Sequence, residues 1–179
     1  CIQPYRLRAL PITQAVMGKE RWTESVLRML GVALAVVVVV ITIGVLESAI
    51  LSMLGETIDS QGFAQFFPKS VWQGFFLLLA GAGIAEETLY RLVLVSLFWR
   101  LTRRPWLAII LAAVLFGAYH LSPLDGLYHY YWQRPITIFT VSTIMGIVMG
   151  YVYLKHGYET AVLGHTLGDW IPMLLSRMG

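Results

Sequence analysis

Apolar residues run along this chain in five blocks, and charges, prolines and glycines collect in the breaks between them. The blocks cover 30–54, 71–99, 106–120, 136–154 and 159–175. A bilayer core about 30 Å thick needs about 20 apolar residues in a helix to cross it. The pattern therefore predicts membrane-spanning helices. The second block is too long for one straight crossing: 29 residues at 1.5 Å each reach about 43 Å. It must tilt, kink or break, and Gly81 and Gly83 are the weak point. Arg100, Arg103, Arg104 and Pro105 end it. The third block is short and Pro123 follows it. Residues 121–135 read as an aromatic loop, and Lys155-His156-Gly157 as a tight turn. Residues 13–29 read as a surface helix, and 63–67 as an interfacial stretch.

Composition agrees with the pattern. Of 179 residues, 58% are hydrophobic and 13% charged, with a mean hydropathy of +0.70. A soluble domain carries about 25% charged residues. The fold class is all-α: a polytopic transmembrane helical bundle of about five spans with an N-terminal cytoplasmic or interfacial arm. The division is 1–29 for the basic arm and 30–179 for the membrane domain. The net charge of +3 fits Lys and Arg anchored at the cytoplasmic face and no nucleic-acid groove. Arg6, Arg8, Lys19, Arg21 and Arg28 in the arm place the N-terminus inside. Cys1 stands first where a methionine is usual, so residues before it stay open, and one cysteine makes no internal disulfide.

Against that apolar background three polar groups stand out. The first is Glu86-Glu87-x-x-x-Arg91 inside the second block. A charge at the centre of a membrane helix costs about 2.5–3.5 kcal/mol on insertion scales. These three must face protein or water. Glu87 and Arg91 are four apart, share a face in the favourable order and can neutralise each other. Glu86 lies about 100° around the axis and is free to act as a base. The alternative is a structural clamp with Glu86 only hydrogen-bonded. The second group is Phe116-x-x-x-His120, and the third is His165-x-x-x-Asp169. Each has its own bland reading, an interfacial histidine and a helix–helix polar pair. Gly146/Gly150 and Gly164/Gly168 have the four-residue spacing that lets helices approach closely. Counted along the helices, all three groups fall at similar depth.

Such a set supports water activation. Glu86 is the candidate base, with a histidine holding the water, a metal or a developing oxyanion. Glu86, His120 and His165 are also candidate zinc ligands with an open position. A metal-free glutamate mechanism remains equally open. The sequence has no HExxH and no Gly-x-Ser-x-Gly.

The ordered trio resembles the CPBP family, the CAAX prenyl-protease and bacteriocin-processing (Abi) intramembrane proteases. The resemblance covers about residues 71–175. It implies an intramembrane endopeptidase, or metallo-endopeptidase, cleaving a membrane-proximal peptide. By resemblance Glu86 is the catalytic glutamate and Glu87 and Arg91 are its structural partners. His120, with Phe116 as its support, is the second catalytic residue, and His165 and Asp169 stabilise the oxyanion. The expected partners are membrane lipid, a peptide or protein substrate at the membrane, and other membrane subunits, in a prokaryotic plasma membrane. Two positions depart from the commoner pattern: Leu92 follows Arg91 in place of Gly, and Asp169 replaces Asn. Two rivals accompany this reading. One is a catalytically idle subunit of the same fold that scaffolds or regulates a larger membrane complex. The other is a proton- or ion-handling transporter, disfavoured because five spans show no inverted repeat.

Overall fold

The computed structural model describes Gly18, residues 22–56 and residues 65–177. Most of the basic arm and much of the 55–68 loop, with the 63–64 end of its interfacial stretch, lie outside the described residues. The described residues are helical, with no strand among them.

Helix α1 spans Trp22–Met53. At 32 residues it is about 48 Å long, well over the hydrocarbon thickness. It begins ahead of the expected start at 30, so residues 22–29 extend the first membrane helix and are no separate surface helix. The reason is packing: Ser25 and Met29 are already buried in the bundle. From there Ala33, Val36 and Val37 continue the inner stripe, while Leu34, Val38, Val45 and Leu46 face outward. That outward apolar face suits lipid.

The second block forms one helical run in four segments. Helix α2 (Val71–Leu78) starts at Ser70, whose hydroxyl accepts the Gln73 amide. The next two stretches, π1 (Leu79–Glu86) and π2 (Thr88–Val95), widen to π-helical geometry, with Glu87 between them. Helix α3 (Ser96–Thr102) closes the run. Arg103 caps it in the left-handed region at φ 56°, Arg104 is extended, and Pro105 opens the next helix. The glycine-marked weak point is thus real, but it appears as a π distortion. π-Helical turns are rare, occur mostly as short bulges inside α-helices, and are frequent at functional sites. Each residue there advances fewer degrees about the axis, so neighbouring side chains sit closer in direction than an α-helix allows.

Helix α4 (Pro105–Tyr119) buries Ala108, Ile109, Ala112, Ala113, Phe116 and Gly117 along one stripe. A one-turn helix, α5 (Tyr128–Tyr131), lies in the following loop. Helix α6 (Pro135–His156) packs on α4, and helix α7 (Tyr158–Ser176) packs on α1. The spaced glycines make these contacts. A Cβ at Gly146 would meet the Ala113 backbone at 2.9 Å, and one at Gly150 would meet Ile109 at 2.8 Å. Gly164 and Gly168 lie under Val36 and Val40 of α1. The core joins Val36, Val95, Ile109, Met149, Tyr153 and Ala161 from five elements.

Among the described residues two helices are long and apolar enough to cross a membrane: Thr23–Met53, mean hydropathy 3.0, and Pro135–His156, mean hydropathy 1.7. Pro105–Tyr119 is a shorter apolar helix.

Candidate active site

The π distortion carries the first polar group into the middle of the bundle. Glu87 is fully buried and Arg91 is 1% exposed. Arg91 Nε lies 3.2 Å from Glu87 Oε2. The expected clamp therefore forms, but it is not self-contained. The other oxygen, Glu87 Oε1, accepts from His165 Nδ1 at 2.7 Å. Glu87 thus ties the second block to α7 and fixes the imidazole orientation. Because Nδ1 carries the donated proton, Nε2 is the atom that faces the rest of the site.

Two carboxylates face that atom. Glu86 Oε2 lies 3.8 Å from His165 Nε2, and Asp169 Oδ2 lies 3.6 Å from it. Both distances exceed hydrogen-bond length, so His165 and Asp169 are neighbours without a direct bond. Glu86 is 23% exposed and Asp169 39%, against 0% for Glu87. Adjacent glutamates therefore sit in different surroundings, one sealed in a clamp and one open to a reactant.

The second polar group joins through Phe116. Its ring meets His120 at 4.6 Å and His165 at 5.9 Å between centroids. The Arg91 guanidinium lies over the same ring at 4.9 Å. That is a cation–π distance, and it gives a partner to Arg91 Nη1 and Nη2, which have no hydrogen bond. His120 Nδ1 donates to the Phe116 carbonyl at 2.9 Å, leaving Nε2 free. The charges of His165, His120, Asp169 and Arg91 all act on Glu86. Glu86, His120, His165 and Asp169 are thus in one neighbourhood, with Glu87, Arg91 and Phe116 packed behind them.

The zinc alternative fares differently. Among the described residues no three or more His, Cys, Asp or Glu side chains are arranged to hold a metal ion. His165 Nδ1 and His120 Nδ1 are bonded to protein acceptors, which leaves Nε2 of each as the atom that could reach a metal. The candidate ligand set Glu86, His120 and His165 does not form a metal cage in this arrangement.

Other residues support the site without belonging to any motif. The Tyr158 hydroxyl donates to the Ile84 carbonyl at 3.3 Å and accepts from the Thr88 hydroxyl at 2.7 Å. These bonds brace the widened turns on either side of the two glutamates. Gly83 admits α7: a Cβ there would collide with the Thr166 hydroxyl and approach the Val162 carbonyl to 3.3 Å. Tyr131, from the loop, reaches His120 at 5.5 Å between ring centroids. A tyrosine-rich loop was the only sequence signal for it.

Fold and site together define a helical membrane protein with a carboxylate–histidine centre inside the bundle. Residues 68–171 match the family described as Rce1-like, type II CAAX prenyl endopeptidase. The match covers more than half of the chain and spans every site residue from Glu86 to Asp169, and the chain belongs to that family. This agrees with the CPBP resemblance. No curated protein and no solved structure matches the chain.

Proposed function

We propose that this protein is an intramembrane endopeptidase that cleaves a membrane-proximal peptide with water activated by Glu86. The observation that carries the reading is His165: its Nδ1 is held by the buried Glu87, and its Nε2 faces Glu86 at 3.8 Å. In this reading one water bridges Glu86 and His165 Nε2, a separation that leaves it within hydrogen-bond reach of both. Glu86 takes a proton from that water as its oxygen bonds to the scissile carbonyl carbon. The carbonyl oxygen becomes an oxyanion, which His120 and His165 stabilise from Nε2 when their rings are protonated, since only the imidazolium donates from both nitrogens. As the C–N bond breaks, Glu86 returns the proton to the leaving amine. Asp169 borders His165 and shapes the field at Nε2. Glu87, Arg91 and Phe116 hold these groups and touch no reacting atom. No step passes through a metal.

Five crossings, a cytoplasmic N-terminus and a prokaryotic plasma membrane complete the proposal. Support comes from the five apolar blocks, the length of the 71–102 run and the basic arm. The proposed division is the basic arm 1–29 and the membrane domain 30–179, with the first helix reaching back into the arm to residue 22. Labelling single cysteines at 59 and 129 from outside checks the topology; labelling only from the cytoplasmic side overturns it.

The function is tested with the purified chain in vesicles against a panel of membrane-proximal peptides, prenylated and unprenylated. Cleavage by wild type, its loss in Glu86→Gln and its persistence in a chelator are expected. Chelator loss restored by zinc would overturn the metal-free mechanism, and full cleavage by Glu86→Gln would overturn the assignment.

A further inference from the structure

His120 is held on one side by its own helix. Its Nδ1 is bonded to the Phe116 carbonyl, and its ring meets Phe116 and Tyr119. A third ring contact comes from outside that helix, and it is made by Tyr131. The two rings are 5.5 Å apart at 47°, and Tyr131 comes from the 121–134 loop, outside the membrane-spanning helices.

The loop is fastened where it needs to be for this. Trp132 Nε1 donates to the Leu121 carbonyl at 2.8 Å, tying the residue after Tyr131 back to the end of α4. The Leu127 amide donates to Asp125 Oδ1 at 2.7 Å, which sets the turn entering α5. The residue before Tyr131 is also anchored, since Tyr130 packs edge-on to Phe66 at 5.9 Å. Tyr131 is therefore fixed by neighbours on both sides in sequence.

Tyr131 also lies within the field of the site. Burial, then the charges of Asp125, Asp169 and Glu86, hold its phenol well above the ordinary value of 10.0. It stays a neutral O–H beside two carboxylates that the proposed mechanism uses.

We propose that Tyr131 is a positioning residue for the site: its ring, clamped by the aromatic loop, fixes the plane of the His120 imidazole and closes the site on the loop side. The positioning follows from the ring and not from the hydroxyl, because Tyr131 meets His120 ring to ring. The catalytic consequence rests on the proposed endopeptidase function. The consequence for His120 does not.

Two readouts separate these. Diethyl pyrocarbonate modification of His120 is followed by mass spectrometry in the full chain, with the exposed His129 as internal reference. Tyr131→Leu is expected to raise His120 reactivity severalfold relative to His129, and Tyr131→Phe to leave it at the wild-type rate. In turnover, Tyr131→Leu is expected to lower kcat by on the order of tenfold with KM little changed, and Tyr131→Phe to restore it. Misplacement of a catalytic group, not lost binding, produces that split. If the Leu variant does not fold, Tyr131→Met takes its place. Unchanged His120 reactivity in the Leu and Met variants overturns the proposal. So does a Phe variant as reactive and as slow as Leu. A wild-type chain that cleaves nothing defeats the endopeptidase function alone, because His120 reactivity still decides the role of Tyr131.

Discussion

Arg91→Met removes one charge from a pair in which both side chains are 0–1% exposed. Glu87 would then keep its charge with only His165 beside it. Breaking a buried pair by deleting one partner costs about 3–5 kcal/mol, because the remaining charge stays buried. Solvent screening does not reduce this figure at such burial. Glu87→Gln leaves the opposite charge, Arg91, over Phe116 with no carboxylate, while the Gln carbonyl still accepts from His165 Nδ1. Its loss should fall in the same range. The double variant, Glu87→Gln with Arg91→Met, strands neither charge and keeps that acceptor, so it should recover to within about 1–2 kcal/mol of wild type. The assay is reversible unfolding in mixed micelles, followed by tryptophan fluorescence, for the four proteins of the cycle. Strongly non-additive losses are expected. Two single variants each costing under about 1 kcal/mol, or a double variant equal to their sum, would refute the clamp.

Gly83→Ala should destabilise the protein by about 1–3 kcal/mol, the usual cost of overpacking, because its Cβ meets the Thr166 hydroxyl. Thermal unfolding checks it, and an unchanged midpoint would show that α7 gives way freely. Tyr158→Phe deletes the hydroxyl bonded to Ile84 and Thr88 and should cost about 0.5–1.5 kcal/mol. Its cleavage rate should fall further than stability explains, since the bonds flank Glu86 and Glu87. Wild-type turnover in that variant would remove the brace.

How much of this was legible in the sequence differs from residue to residue. The charged residues were legible because membrane depth makes each one costly. The clamp between Glu87 and Arg91 was legible because helical spacing puts them on one face. The second acceptor role of Glu87 was not: His165 is 78 positions away, and no local spacing relates them. Gly81 and Gly83 marked where the second helix would depart from regularity. They did not mark its form, and the Tyr158 hydroxyl that braces the widened stretch comes from α7, 70 or more positions away, where no local spacing relates it. Phe116 looked like an adjunct of His120, yet its ring also lies against Arg91 and His165. Tyr131 was one of several aromatics in a loop, and only the fold singles it out. The start of α1 was misplaced because Arg28 and Glu24 look like a surface, whereas Ser25 and Met29, each next to one of them, are buried.

The two adjacent glutamates carry the central claim, which assigns chemistry to Glu86 and structure to Glu87. Cleavage rate and unfolding midpoint, measured on one preparation of Glu86→Gln in vesicles, test it most directly. The account predicts a midpoint near wild type and no detectable cleavage of a peptide that wild type cuts. Wild-type cleavage by that variant, or a collapse in stability like that expected of Glu87→Gln, would contradict it.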